Sequence, residues 1–185
     1  GIGSASRLAQ VQPGVRYTVG ALVLANFGRL PNLIVAGRPF GRRLADRLDR
    51  AGGAGQGRAP GEPEKGSIIL LLATDAPLDA RQLRRLSLRA GAGLARTGSV
   101  FGHGSGDIAL AFSTAYTVPH LAERGMPAVA MLHETRIDPL FEAAAEAAEQ
   151  AIVAALWRAT TVAGRDGHVR RAITEVAPDW REWLD

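Results

Sequence analysis

Apolar and polar positions fall into runs whose periods predict the elements of the chain. From Val15 to Val19 they alternate, and from Ala21 to Ala25 they are continuously apolar, so residues 15–26 read as a strand that enters a core as it proceeds. Asn26-Phe27-Gly28 ends it with turn chemistry. Leu33 to Ala36 reads as a second short strand, closed by Gly37-Arg38-Pro39-Phe40-Gly41, and the two together predict a β-hairpin. A brief helix is expected over 42–50. Residues 51–65 hold seven glycines and prolines, Gly52, Gly53, Gly55, Gly57, Pro60, Gly61 and Pro63, with almost nothing to bury, and are expected to be a flexible loop.

The pattern changes abruptly at Gly66. Ser67 follows it and opens the apolar run Ile68 to Ala73, which predicts a buried strand. Asp79 then stands where an N-cap belongs, ahead of a helix over 80–95 with Leu83, Leu86, Ala90 and Leu94 on one face. Gly102-His103-Gly104-Ser105-Gly106-Asp107 is a glycine-rich turn before another strand, 108–114. Residues 115–137 have no period. Asp138-Pro139 then opens an alanine-rich helix to about residue 158, whose small side chains suit close packing on a sheet. Trp180 and Trp183 are expected to pin the C-terminal tail to the body. Strands and helices in this order make the fold class α+β.

Composition narrows the function more than it identifies it. The chain has 185 residues, 46% hydrophobic and only 5% aromatic, so its core must be built from Ala, Leu, Val and Ile. The formal net charge is +4, yet the densest basic cluster, Arg81, Arg84, Arg85 and Arg89, occupies the wet side of a helix with no interleaved aromatic residues to stack bases. No nucleic-acid partner is expected. With no cysteine, thiol catalysis, disulfides and cysteine-ligated metals are excluded. The four histidines lack any two-histidine helical spacing, so neither metal nor other cofactor is expected. No apolar run is long enough to span a bilayer, which leaves no membrane partner. The absence of an initiating Met suggests a chain that begins inside something longer, and its location is expected to be cytoplasmic, with the periplasm open.

Three places could carry chemistry. Ser67, at a loop-to-strand boundary, is a small nucleophile that one side of the chain can hold rigidly while the other exposes it. In the glycine-rich turn, Ser105 and Asp107 fall on one side if the backbone is extended, and a hydroxyl beside an acid can orient an amine or relay a proton. That turn is no dinucleotide fingerprint, because a strand follows it and no helix opens there. Asn26 ends a buried strand with an amide able to donate to an oxyanion. Each also has an ordinary reading as a strand start, a loop or a turn residue.

Taken together, several segments resemble one family. Gly66-Ser67-Ile68-Ile69, Ala73-Thr74-Asp75-Ala76-Pro77-Leu78, Gly93-Leu94-Ala95-Arg96-Thr97-Gly98-Ser99, the 102–107 turn and Gly164-Arg165-Asp166-Gly167 are similar in order to the L-aminopeptidase/D-amidase-esterase family, which includes the β-peptidyl aminopeptidases. Gly1 to Arg7 and Ala25 to Gly28 fit it as well. The resemblance implies an αββα sandwich like that of N-terminal-nucleophile hydrolases, of which this chain supplies the C-terminal part. It implies a precursor that breaks its own Gly66–Ser67 bond, leaving 1–66 as the end of a larger α subunit and 67–185 as a β subunit within one structural domain. Ser67 then carries both the nucleophilic hydroxyl and a free α-amine. Ser105 and Asp107 would orient that amine, Asn26 would serve the oxyanion with Asn32 as a weaker candidate, and His103, Gly104 and Gly106 would meet the substrate. That substrate would be a small peptide, amide or ester, and the assembly a homo-oligomer of αβ heterodimers. Neither Tyr17 nor Tyr116 sits where the family carries a tyrosine near its nucleophile.

Two other readings stand beside this one. An acyltransferase of the same architecture would pass the acyl group to an amine, although such relatives use threonine as nucleophile. A degenerate paralogue would keep the sheet only as an assembly scaffold.

Overall fold

A computed structural model describes residues 1–50, 66–126 and 128–184, so the expected loop 51–65 lies outside the described residues. Its central sheet has four strands: β1 (Ile2–Gln12), β2 (Val15–Asn26), β3 (Ser67–Thr74) and β4 (Ile108–Ser113), in the order β1-β2-β3-β4. The first three are antiparallel and β3 runs parallel to β4. The three longest helices among the described residues are α1 (Phe40–Arg50), α2 (Ala80–Arg96) and α3 (Asp138–Trp157). The crossover from β3 to β4 is α2, as a parallel pair requires.

The hairpin is real but its partner differs from the expected one. β2 pairs with β1, not with residues 33–36. Val35 and Arg38 exchange backbone hydrogen bonds of 3.0 and 2.9 Å around Ala36 and Gly37, both at positive φ, so this segment closes a local two-residue turn and extends no strand. β1 itself gave little signal because its inward face begins with Gly3 and Ala5. The reason for those small residues is α3, since a Cβ on Gly3 would run into the carbonyl oxygen of Ala151 and stand 2.5 Å from the amide nitrogen of Ala155.

The five other expected elements, the helices over 42–50, over 80–95 and to about 158 and the strands over 68–73 and 108–114, formed close to their predicted bounds. Asp79 caps α2 by accepting from the Gln82 N–H at 2.6 Å, while the Gln82 side chain returns a bond to the Asp79 N–H, a complete capping box. Leu86, Ala90 and Leu94 of α2 are buried, and α3 lays Ala144, Ala147, Ala148 and Ala151 against the sheet and α2. Val19, Val23, Ile68, Leu70 and Leu72 meet them from the sheet, each burial being worth about 1.5–3 kcal/mol.

Among the described residues, helices cover one face of the sheet and leave the other bare. On the other, Ile2, Leu24, Ile69 and Ile108 form one cross-strand row, and Leu22, Leu71 and Leu110 part of the next. Most of these side chains are exposed, Leu110 to 56%. A strand whose inward and outward positions are both apolar reads as a fully buried one, which is how β3 read in the sequence.

A second, smaller core lies beside the first. Phe40 and Leu44 of α1, Val35 and Ala177 are buried in it, and Trp157, Trp180 and Trp183 pack around them, so the tail is pinned as expected. The basic residues of α2 are not a free patch: Arg81 and Arg85 both pair with Glu134, and the Arg89 guanidinium lies 4.0 Å from the centre of the Phe141 ring. No helix among the described residues is long and apolar enough to cross a membrane.

Candidate active site

The site forms at one end of the sheet, where β2 stops and β3 starts. Asn26 and Ser67 are the terminal register pair of that ladder. Alternation puts both side chains on the face without helices, because Ile68, Leu70 and Leu72 take the inward positions of β3 and Val23 and Ala21 those of β2. Ser67 is exposed, as a nucleophile that meets substrate must be.

Two polar groups hold the Ser67 hydroxyl. It donates to the carbonyl oxygen of Gly66 at 2.8 Å and accepts from the backbone N–H of Gly106 at 3.1 Å. The first contact places the hydroxyl on the peptide bond immediately before it. The second fixes Oγ from the far side, with a donor suited to an oxygen that is gaining negative charge. A side chain would be crowded at Gly106 and blocked at Gly66. A Cβ on Gly106 would stand 3.3 Å from the Ser67 Oγ, and one on Gly66 would collide with the Asn26 carbonyl and lie 2.8 Å from the Phe27 Cα.

Gly106 comes to Ser67 because β4 runs parallel to β3 with Ile108 beside Ile69, which brings the residues preceding β4 level with those preceding Ile69. On either side of Gly106, Ser105 and Asp107 turn toward each other, and the Ser105 hydroxyl donates to Asp107 Oδ1 at 2.5 Å. That short contact is of the charge-assisted kind. Both are half-buried. The turn itself is closed by the Ser105 N–H to the Gly102 carbonyl at 2.9 Å, with His103 and Gly104 exposed at its corner.

Of the residues singled out in the sequence, the structure therefore brings Asn26, Gly66, Ser67, Ser105, Gly106 and Asp107 to one end of the sheet. Asn32 is elsewhere, in a short turn of helix at Leu30–Asn32, its carbonyl oxygen packed against Gly98. Tyr116 donates to the Leu78 carbonyl at 2.7 Å and is a structural residue. Tyr17 packs against the main core. What the sequence missed is the backbone amide of Gly106 as a partner of the nucleophile, since a main-chain donor leaves no mark on residue type. Phe27, whose backbone abuts Gly66, was missed too, although its place directly after Asn26 carried the information. No group of side chains among the described residues is arranged to hold a metal ion.

Comparison with known proteins gives this geometry a context. Residues 1–170 match the model of peptidase family S58. A β-peptidyl aminopeptidase of Sphingosinicella microcystinivorans is 41% identical over 175 residues, which are 91% of this chain and 43% of that protein. The chain thus spans less than half the length of that relative. Among solved structures, a protein of Pyrococcus horikoshii OT3 overlays with a TM-score of 0.81 at 47% identity, covering 98% of this chain and 46% of the other. The Ochrobactrum anthropi L-aminopeptidase D-Ala-esterase/amidase, described as a prototype for the serine aminopeptidases and a new variant among the Ntn hydrolase fold, overlays at 0.77 with 34% identity, over 98% of this chain and 48% of that one.

Proposed function

The chain belongs to peptidase family S58, and on that premise we propose that it is the catalytic part of a serine aminopeptidase that activates itself by cutting its Gly66–Ser67 bond. The observation that carries the reading is the Ser67 hydroxyl lodged between the Gly66 carbonyl and the Gly106 N–H.

Self-cleavage follows from that placement. The Ser67 Oγ attacks the Gly66 carbonyl carbon, the new C–O bond forms as the C–N bond breaks, the hydroxyl proton passes to the departing nitrogen, and the acyl group thus moves from nitrogen to oxygen. Water then hydrolyses the ester, leaving a carboxylate on Gly66 and a free α-amine on Ser67. An α-amino group titrates near pH 7.7–8.0, roughly two units below a lysine, so it can take the hydroxyl proton at neutral pH. In turnover the same Oγ attacks the carbonyl of an amide or ester, Asn26 and the Gly106 N–H donate to the oxygens that gain charge, and water resolves the acyl-enzyme. Asp107, with Ser105, orients the Ser67 amine and offers a negative partner to the substrate's own amino group. His103 and Gly104 line the approach.

On this reading 1–66 and 67–185 become the end of an α piece and a whole β piece, and the substrate is a small peptide, amide or ester carrying a free amine. The exposed apolar residues Val118, Leu121, Met126, Val129 and Met131 offer surface for assembling copies of the αβ pair. Neither the acyltransferase nor the scaffold alternative is favoured, and Ser67 in place of threonine weighs against the first.

Mass measurement of the purified protein tests the proposal. Two pieces split at Gly66–Ser67 are expected, and a single uncut species on replacing Ser67 by Ala, with loss of turnover. Uncut protein that still releases N-terminal residues from amino-acid amides would sink the reading.

A further inference from the structure

The smaller core has a property that its packing alone does not require: it joins the two sides of the Gly66–Ser67 bond. Phe40, fully buried on α1, belongs to the upstream side. Its ring lies 5.3 Å from that of Trp157 and 5.0 Å from that of Trp183, and Trp157 in turn lies 5.3 Å from Trp180, all three tryptophans being downstream. Arg47 of α1 pairs with Asp179 and stands 5.6 Å over the Trp183 ring, while the Trp183 indole N–H donates to the other Asp179 oxygen at 3.3 Å.

From this core a run of contacts leads to the site. Gly41, next to Phe40, donates its N–H to the Leu33 carbonyl at 2.9 Å and leaves no room for a Cβ against Leu30 and Leu33. Two residues separate Leu30 to Asn32 from Phe27, whose backbone abuts Gly66 and which itself follows Asn26, the last residue of its ladder. The connection from 27 to 50 is thus placed by β2 at one end and by the docking of α1 at the other, with the Ile34 N–H to Thr97 carbonyl bond of 3.2 Å between them.

We infer that Phe40 and Trp183 are positioning residues that keep Asn26 in place once the chain is in two pieces. This rests on the proposed self-cleavage. In the uncut chain, residues 27–66 are tethered covalently at both ends to neighbouring strands that are in register. Cleavage removes the covalent link at Ser67 and leaves residues 27–50 joined to the sheet through Asn26 alone, so their placement loses the restraint of a closed loop. The aromatic docking of α1 then supplies the second anchor. Loss of that docking accordingly weakens the mature enzyme more than the self-cleavage that precedes it, an asymmetry that a general folding defect does not produce.

Trp183→Ala tests this in the complete protein, with the half-time of self-cleavage read on a denaturing gel and kcat and KM read on an amino-acid p-nitroanilide. Self-cleavage and KM are expected within about twofold of wild type and kcat down about fivefold or more, the loss that misplacing an oxyanion donor brings. Trp183→Phe should restore most of kcat. Ile152→Val, a small cavity in the main core, should lower melting temperature without lowering kcat. Should Trp183→Ala fail to fold, Arg47→Gln removes the Asp179 pair with less loss of packing and should give a smaller kcat loss of the same kind. Unchanged kcat in the cleaved variants, or an equal fall in kcat and self-cleavage, overturns the inference while leaving the proposed function intact. A wild-type protein that stays in one piece overturns both.

Discussion

Asn26 and Ser67 face each other as the last register pair of the β2–β3 ladder, with both side chains on the face of the sheet that bears no helix. On the proposed function, this pairing puts an amide and a hydroxyl at one strand end, where both can act on one carbonyl. Asn26→Ala should therefore lower kcat by about 10²–10³-fold with KM little changed, the loss typical of one oxyanion donor. Asn32→Ala, in the separate turn at Leu30–Asn32, should change neither by more than about twofold, and the pair of variants measured on one substrate decides which amide serves.

Gly106 offers a second test, because its role is carried by the main chain. Adding a methyl group puts a carbon 3.3 Å from the Ser67 Oγ, tighter than most such contacts, so the hydroxyl must shift by a few tenths of an ångström and its 3.1 Å N–H bond is strained. Gly106→Ala is expected to slow both self-cleavage and turnover by about tenfold or more while the melting temperature stays within a few degrees. A variant that cleaves and turns over at the normal rate would remove Gly106 from the site.

How far the sequence led depended on whether a position acts through its side chain. α2 was legible because Asp79 and Gln82 announce their capping box, and β3 because Ile68 to Leu72 have no polar interruption. β1 was not, since Gly3, Ala5 and Ala9 face α3 and carry almost no apolar signal. The short apolar run 33–36 misled, because Ala36 and Gly37 at positive φ spend it on a turn. In the site, Ser67, Ser105, Asp107 and Asn26 were candidates by residue type and place, each with an ordinary alternative, and the family resemblance is what joined them into one site. Their meeting at one end of the sheet follows from strand register and from the parallel return of β4, neither of which composition or periodicity encodes.

The close seam between β1 and α3 makes Gly3 a stability position. A Cβ there meets backbone atoms of Ala151 and Ala155, which cannot swing aside as a side chain end would. Gly3→Ala should cost about 1–3 kcal/mol or more through overpacking, lowering the midpoint of urea unfolding with little change in slope. Gly20→Ala in the same sheet, where the nearest atom to a new Cβ is 3.9 Å away, is the matched control and should unfold near the wild-type midpoint.

Acid should expose the Glu134 cluster. Hydrogen bonds from Arg81 and Gln82, aided by the nearby Arg85 charge, hold the Glu134 carboxyl down at about 2 against an ordinary value of 4.5. A carboxylate depressed in the folded state stabilises it above the unfolded value, and that contribution fades as pH falls from 4.5 through about 2. Glu134→Gln should therefore melt below wild type at pH 6, and the gap should shrink steadily between these two pH values. Because the cluster is solvent-exposed, added salt should narrow the gap at pH 6 as well.

The pH dependence of turnover separates the roles of Ser67 and Asp107. If the α-amine freed on Ser67 is the base, kcat/KM must rise as that amine loses its proton, with a midpoint near pH 7.7–8.0 for an unperturbed group. A neighbouring carboxylate favours the charged ammonium and raises the midpoint; removing the carboxylate does the reverse. Asp107→Asn is almost isosteric and can still accept from the Ser105 hydroxyl, so the 2.5 Å contact survives in weakened form. The expected result is a lower plateau, because the amine is less well oriented, together with an acidic limb displaced to lower pH, because it is less basic. Ser105→Ala leaves the charge in place, so its plateau should fall while its midpoint moves little. A midpoint identical in wild type and Asp107→Asn would mean that the Asp107 charge does not reach the Ser67 amine, and the carboxylate would then act on the substrate's amino group alone, where its loss appears in KM.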